Sequence, residues 1–127
     1  MAIDFGKRMG MGGLRLPVKD PANPMSIDIE QLKKNVDYFM AHGFNYFDTA
    51  YIYHGELSEN AYGEAVVDRY PRDSFLLSTK MPVKQMNSAD QMEPIFEEQL
   101  KKCHVDYFDC YLVHCVSRDT YERCKEW

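Results

Sequence analysis

The 127-residue sequence has no excess of basic charge, no membrane-length apolar run and no paired cysteines, and each absence removes a class of function. Fifteen Lys and Arg against twenty Asp and Glu leave a net charge of −5. A chain that holds nucleic acid or an anionic membrane surface needs the opposite field. Apolar runs fall far short of the roughly 20 residues that span a bilayer, and Met1–Arg8 lacks the apolar core of a secretory leader. The expectation is a cytoplasmic protein without nucleic-acid or membrane partners. Cys103, Cys110, Cys115 and Cys124 crowd into the last quarter without a C-x-x-C spacing. Lacking a secretory context, they do not read as a disulfide framework. His104 and His114 lie among them, yet structural zinc takes two tight ligand pairs and none is present, so no metal is expected. Cys110 and Cys115 sit in an apolar stretch and read as small buried hydrophobes.

No repeat, low-complexity tract or long linker interrupts the chain. Its length suits one domain, and 45% apolar with 28% charged residues supplies a core. What is present is an alternation of two hydrophobic periods. Met9–Leu14 is a short glycine-rich apolar run, followed by a loop punctuated from Pro17 to Pro24. Asp28 with Gln31 three residues on forms a capping box. Leu32, Val36, Phe39 and Met40 then make a helical stripe that Gly43 ends. Residues 44–48 read as a buried strand. Ser58 opens a second helix, with Ala61, Tyr62, Ala65 and Val66 on one face. Pro71–Asp73 is a turn and residues 75–80 a strand.

A third helix begins near Ser88, whose box partner is Gln91. Pro94 should kink its first turn or restart it at the first helical position. Phe96, Leu100 and Cys103 continue the stripe. Residues 105–113 form the clearest strand, and residues 120–127 begin a fourth helix. Alternating short strands and amphipathic helices give right-handed crossovers and a parallel sheet. Four such units are half of a (β/α)8 barrel. A doubly wound open sheet is the competing architecture.

Four ionisable residues end strands or closely follow them: Asp48, Tyr53, Lys80 and His114. In parallel α/β folds the carboxyl ends of the strands line the active face. Strand alternation pairs Asp48 with Tyr46, Lys80 with Ser78 and His114 with Leu112, so a carboxylate, an ammonium and an imidazole converge if those faces point inward. A tyrosine has an ordinary pKa near 10 and is a poor proton shuttle at neutral pH. A neighbouring cation favours its phenolate, and a carboxylate holds that cation in place. Asp48, Lys80 and Tyr53 supply these parts, and His114 can orient a carbonyl. The set suits reduction of a carbonyl by hydride, with Tyr53 donating the proton.

GFNYFDTAYIYHGELSENAYGEAV resembles the aldo-keto reductase signature, in which the aspartate precedes the catalytic tyrosine by five residues. Ser78–Lys80 and Tyr111–His114 are similar to that family's lysine and histidine strand ends. The resemblance covers essentially the whole chain. It implies a (β/α)8 TIM barrel and NADP(H)-dependent reduction of aldehydes and ketones. Tyr53 would be the general acid, with Asp48, Lys80 and His114 as its tuning and orienting partners. Gly12, Gly13 and Leu14 would occupy the first strand-to-helix loop beside the nicotinamide, with Asp48 also at the cofactor. Against this, the G-x-G-G run and the Y-x-x-x-K of Tyr121 and Lys125 are weak nucleotide signals, because no helix follows the glycines directly.

The family's barrel continues through four further units, so residues 1–127 read as the N-terminal half of such a domain. Most of the NADP(H) grip and the substrate-selecting loops would belong to the other half. A half-barrel exposes two strand edges and an apolar interior around Tyr46, Leu76 and Leu112, which favours self-association. A fragment of a longer protein is the simpler reading, and a second chain completing the barrel is the other. GELSEN, RYPRD and FEEQLKK look like the bacterial subgroup with a C-terminal iron–sulfur extension, where alone a cluster would sit. Two functions follow: a carbonyl reductase acting on a small-molecule substrate, or a non-catalytic half-barrel kept for binding or assembly.

Overall fold

Hydrophobic residues two apart build strands and those three or four apart build helices, and the chain alternates accordingly. A computed structural model describes residues 7–127. It has four strands: β1 Gly10–Gly12, β2 Tyr46–Asp48, β3 Leu76–Met81 and β4 Cys110–Val113. Each is followed by a helix: α1 Ile29–Ala41, α2 Ser58–Tyr62, α3 Met92–Cys103 and α4 Arg118–Glu126. Residues 1–6, on which most of the leader reading rests, lie outside the described residues.

All strand pairs are parallel, in the order β1-β2-β3-β4. Parallel neighbours cannot be joined by a hairpin, so each strand returns through its helix. A doubly wound sheet would reverse its order about an early strand. The sequential order is instead that of the (β/α)8 barrel, of which these are the first four units. In register, Gly12 lies opposite Asp48, Asp48 opposite Ser78, and Lys80 opposite Leu112.

The main core lies between sheet and helices. Phe47 and Leu77 are fully buried there with Leu32, Val36 and Phe39 of α1 and with Ala61 and Tyr62 of α2. The Phe47 ring meets Phe39, Tyr62 and Phe75 edge-on at 5.4, 5.6 and 6.3 Å, the arrangement that ring quadrupoles favour. Burial of each such side chain stabilises the fold by about 1.5–3 kcal/mol. At Gly63 the second helix passes into a π turn, Gly63–Val67, closed by the Asp68 amide on the Gly63 carbonyl at 2.9 Å. A Cβ on Gly63 would lie 2.9 Å from the Lys102 carbonyl oxygen, so glycine lets the two helical segments touch.

Several boundaries differ from the sequence reading for local reasons. Asp28 Oδ1 accepts from the Gln31 amide at 3.0 Å, but the Gln31 side chain turns to Asn35 Oδ1, so half the capping box forms. Ser58 is the first residue of α2 without capping it, because its hydroxyl donates to the Gly13 carbonyl instead. The Ser88–Gln91 box is complete and caps a single 3-10 turn. The α-helix restarts at Met92, two residues before Pro94, which stands in the first turn where no amide donor is needed. β4 begins at Cys110 rather than at residue 105. The Asp109 carboxylate accepts from the Leu77 amide at 2.8 Å and from Arg72 at 2.7 Å, tying the approach to the sheet as a loop. α4 starts at Arg118, capped by Ser117 and Thr120. Cys115 is exposed and at positive φ, and Cys110 is half-buried, so neither is the buried hydrophobe expected. On the inner face Leu112 is exposed, whereas Tyr46 and Leu76 are half-buried.

Behind β3 lies a sealed polar cluster. Glu59 is fully buried, and its Oε1 accepts from Thr79 Oγ1 at 2.6 Å and Gln99 Nε2 at 2.7 Å. Its other oxygen faces Lys102 Nζ at 3.3 Å, an ion contact without hydrogen-bond alignment. Removing one partner of a buried pair strands the other charge, so Glu59→Ala is expected to lower unfolding free energy by about 3–5 kcal/mol. Urea titration of the variant checks this, and a loss within the ordinary surface-mutation range would contradict it.

Candidate active site

The parallel register delivers the site. Asp48 ends β2, and across from it Ser78 donates its hydroxyl to Asp48 Oδ1 at 2.7 Å. Two residues along the same face, Lys80 Nζ donates to Asp48 Oδ2 at 2.7 Å and also to the Thr49 carbonyl. Tyr46 closes the row by donating to Ser78 Oγ at 2.9 Å. Both carboxylate oxygens are thus satisfied by β3, and the lysine is fixed from two sides.

Tyr53 sits in the turn after β2, half-buried, with Lys80 Nζ 5.0 Å from its ring centre. The His114 ring stands perpendicular to it at 5.5 Å. All four residues named from the sequence therefore come together. His114 is buried beyond the end of β4, its amide bonded to the Met81 carbonyl at 3.0 Å. Burial, and then the Lys80 charge, hold its imidazole below the ordinary range, against a smaller opposite pull from Asp48. Its Nδ1 is buried and has no hydrogen-bond partner among the described residues.

The neighbouring Tyr51 has a different part. Its hydroxyl donates to Glu98 at 3.0 Å, and burial followed by that bond pushes its pKa up to about 12. Lys102 Nζ lies over its ring at 4.4 Å. Tyr51 anchors the turn; Tyr53 faces the cluster.

The three loop residues expected at a cofactor separate into two kinds. Gly12 is exposed opposite Asp48 with open space where a Cβ would stand, and Leu14 is 56% exposed. Gly13 is buried: a Cβ there would lie 2.6 Å from Ser58 Oγ and 3.2 Å from the Asp48 carbonyl. It holds the loop against β2. Tyr121 and Lys125 are both exposed on α4, with Lys125 Nζ over the Tyr121 ring at 5.3 Å, as a surface helix face predicts. Among the described residues no three His, Cys, Asp or Glu side chains gather as metal ligands.

The sequence reading missed Ser78 as a bridge and Glu59 as a buried anion. Both left a signal. Ser78 shares a face with Lys80 at period two, and Glu59 falls three residues before Tyr62 on an apolar helical stripe.

The sequence profile of the aldo/keto reductase family matches residues 8–126. An aldo-keto reductase of Bombyx mori is 28% identical over 94 residues, 70% of this chain and 29% of that protein. The aryl-alcohol dehydrogenase [NADP(+)] of Phanerodontia chrysosporium is 30% identical over 105 residues, 70% of this chain and 27% of its own length. The chain thus spans less than a third of these curated relatives. Among solved structures, an aldo-keto reductase from Klebsiella pneumoniae in complex with NADPH superposes with a TM-score of 0.67 at 24% identity, over 92% of this chain and 39% of that one. A Bacillus halodurans aldo-keto reductase gives 0.71 at 22%, over 95% and 43%. With the profile spanning nearly every described residue, the chain belongs to the aldo/keto reductase family.

Proposed function

We propose that residues 1–127 are the N-terminal half of an NADP(H)-dependent carbonyl reductase domain, with Tyr53 as general acid and Asp48, Lys80 and His114 as its partners. The observation that carries the reading is the Lys80 ammonium, 2.7 Å from Asp48 Oδ2 and 5.0 Å from the Tyr53 ring centre. A cation held by a carboxylate beside a phenol stabilises the phenolate that proton donation leaves behind. The Phanerodontia relative is named for NADP(+) and the Klebsiella protein was solved with NADPH, which supports NADP(H) as cofactor.

When bound, the cofactor would supply the hydride. The residues of this chain that would hold its nicotinamide end are Gly12 and Leu14, which are open, with Gly13 packing their loop and Asp48 alongside. Tyr53 gives its proton to the carbonyl oxygen of a small aldehyde or ketone. Lys80 steadies the resulting charge, and Asp48 with Ser78 keeps Lys80 aimed. Because its pKa is lowered, His114 is neutral imidazole at neutral pH, so it orients the carbonyl and does not compete as the acid. Four further β/α units beside the β1 and β4 edges would complete the barrel and the remainder of the cofactor site. Four free thiols fit a reducing, cytoplasmic setting.

A second reading, a half-barrel kept for binding or assembly, is favoured by exposed Tyr111, Leu112 and Val113 on the β4 edge. Tyr53→Phe separates the two. In the protein carrying this chain, aldehyde-dependent NADPH oxidation is expected to fall by at least about 100-fold with the far-ultraviolet dichroism unchanged. Equal turnover in the variant would sink the catalytic assignment.

The lowered His114 pKa also fixes the sign of a stability profile. As pH falls through the ordinary histidine value of 6.5, the unfolded chain takes the proton before the folded one does, so stability is lost until the depressed value is passed. Denaturant midpoints should therefore fall more steeply from neutral to mildly acid pH in the parent than in His114→Gln. Parallel slopes would contradict this. The purified 127-residue chain is expected to elute as oligomers through its open edges and to bind negligible NADPH; a sharp monomer peak would overturn the self-association.

A further inference from the structure

Tyr53 is followed by three residues in the left-handed region: His54 at φ 53°, Gly55 at 61° and Glu56 at 71°. Residues bearing a Cβ resist that conformation, so the turn needs an external hold. The His54 ring provides one. Its Nε2 lies 3.0 Å from the Leu16 amide nitrogen, and its Nδ1 meets the Pro24 carbonyl oxygen. Both partners belong to the loop between β1 and α1. Met25 of the same loop packs on the turn, where a Cβ on Gly55 would come within 2.9 Å of it.

These partners dictate where the ring's hydrogen sits. A backbone amide only donates, so Nε2 must be bare; a carbonyl only accepts, so Nδ1 must carry hydrogen. The neutral Nδ1–H tautomer alone satisfies both. An imidazolium would set Nε2–H against the Leu16 N–H. The charged residues of the loop are Arg15, Lys19, Asp20 and Asp28, and the turn contributes Glu56 and titratable Tyr53. None makes an ion pair with the ring among the described residues.

We propose that His54 is a positioning residue: as the neutral Nδ1–H tautomer it straps the β1–α1 loop, whose first residues are Gly13 and Leu14, to the turn carrying Tyr53. The strap stands on geometry alone; its service to cofactor and acid rests on the reductase reading above. It keeps the edge offered to the nicotinamide and the proton donor at a fixed separation.

Long-range proton–nitrogen correlation of ¹⁵N-labelled protein at neutral pH tests it, with the His54 peaks identified by their loss in His54→Gln. Nδ1 should be protonated and Nε2 bare. In His54→Ala, hydrogen exchange at the Leu16 amide should speed up about tenfold while α1 amides hold, as loss of one hydrogen bond predicts. General loosening would move both. His54→Gln, whose amide oxygen can stand in for Nε2, should recover most of the protection. In the protein carrying this chain, the KM for NADPH should rise about tenfold in His54→Ala, with kcat changing far less, and return toward the parent in His54→Gln. An Nε2–H tautomer, or unchanged Leu16 exchange, overturns the strap. Faster exchange with an unchanged KM overturns the positioning role. Failure of the reductase reading shows separately, as turnover indifferent to Tyr53→Phe, and leaves the nitrogen assignments intact.

Discussion

Parallel pairing of β2 with β3 in one register sets the geometry of everything at the site. Asp48 stands opposite Ser78, and the two-residue period of a strand brings Lys80 to the same face. Ser78 and Lys80 then reach the two oxygens of one carboxylate. A slip of one residue would turn Lys80 toward the helices, into space that Leu77 and Thr79 fill, and leave the carboxylate without its cation. The hydrophobic pattern that buries Phe47 and Leu77 therefore also aims the chemistry.

β3 carries a different polar arrangement on each side. Lys80 faces inward to Asp48, while Thr79 faces outward to Glu59, and the Gln99 amide reaches both residues through the Thr79 hydroxyl and the Lys80 carbonyl. The two carboxylates are unlike in exposure: the Asp48 side chain is 28% accessible and that of Glu59 is sealed. A sealed anion with fixed partners holds structure. One open to solvent remains able to engage a substrate or cofactor.

The order of elements and the identity of the four clustered residues were legible because both rest on periodicity and on strand ends. Leu32, Val36 and Phe39 announce α1, and Asp48, Lys80 and His114 mark where strands finish. What escaped depends on side chains displacing backbone. Residues 105–109 look like a strand, yet Asp109 takes the Leu77 amide and Arg72, and the segment before it leaves the sheet. Ser58 looks like a cap, yet its hydroxyl serves Gly13 and Thr49 across the fold. The His54 contacts span 38 and 30 residues, and no local pattern encodes them.

The π turn after α2 has a consequence for how such chains vary in length. An α-helix rotates about 100° per residue, and a π turn absorbs one extra residue without changing what lies before and after it. Glu59 and Tyr62 on one side, and the Asp68 amide that closes the turn on the other, are thus joined through a slack position. Dropping a single residue between 63 and 67 would regularise the helix, and at about 100° per residue it would turn Ala65 and Val66 away from the core they now fill.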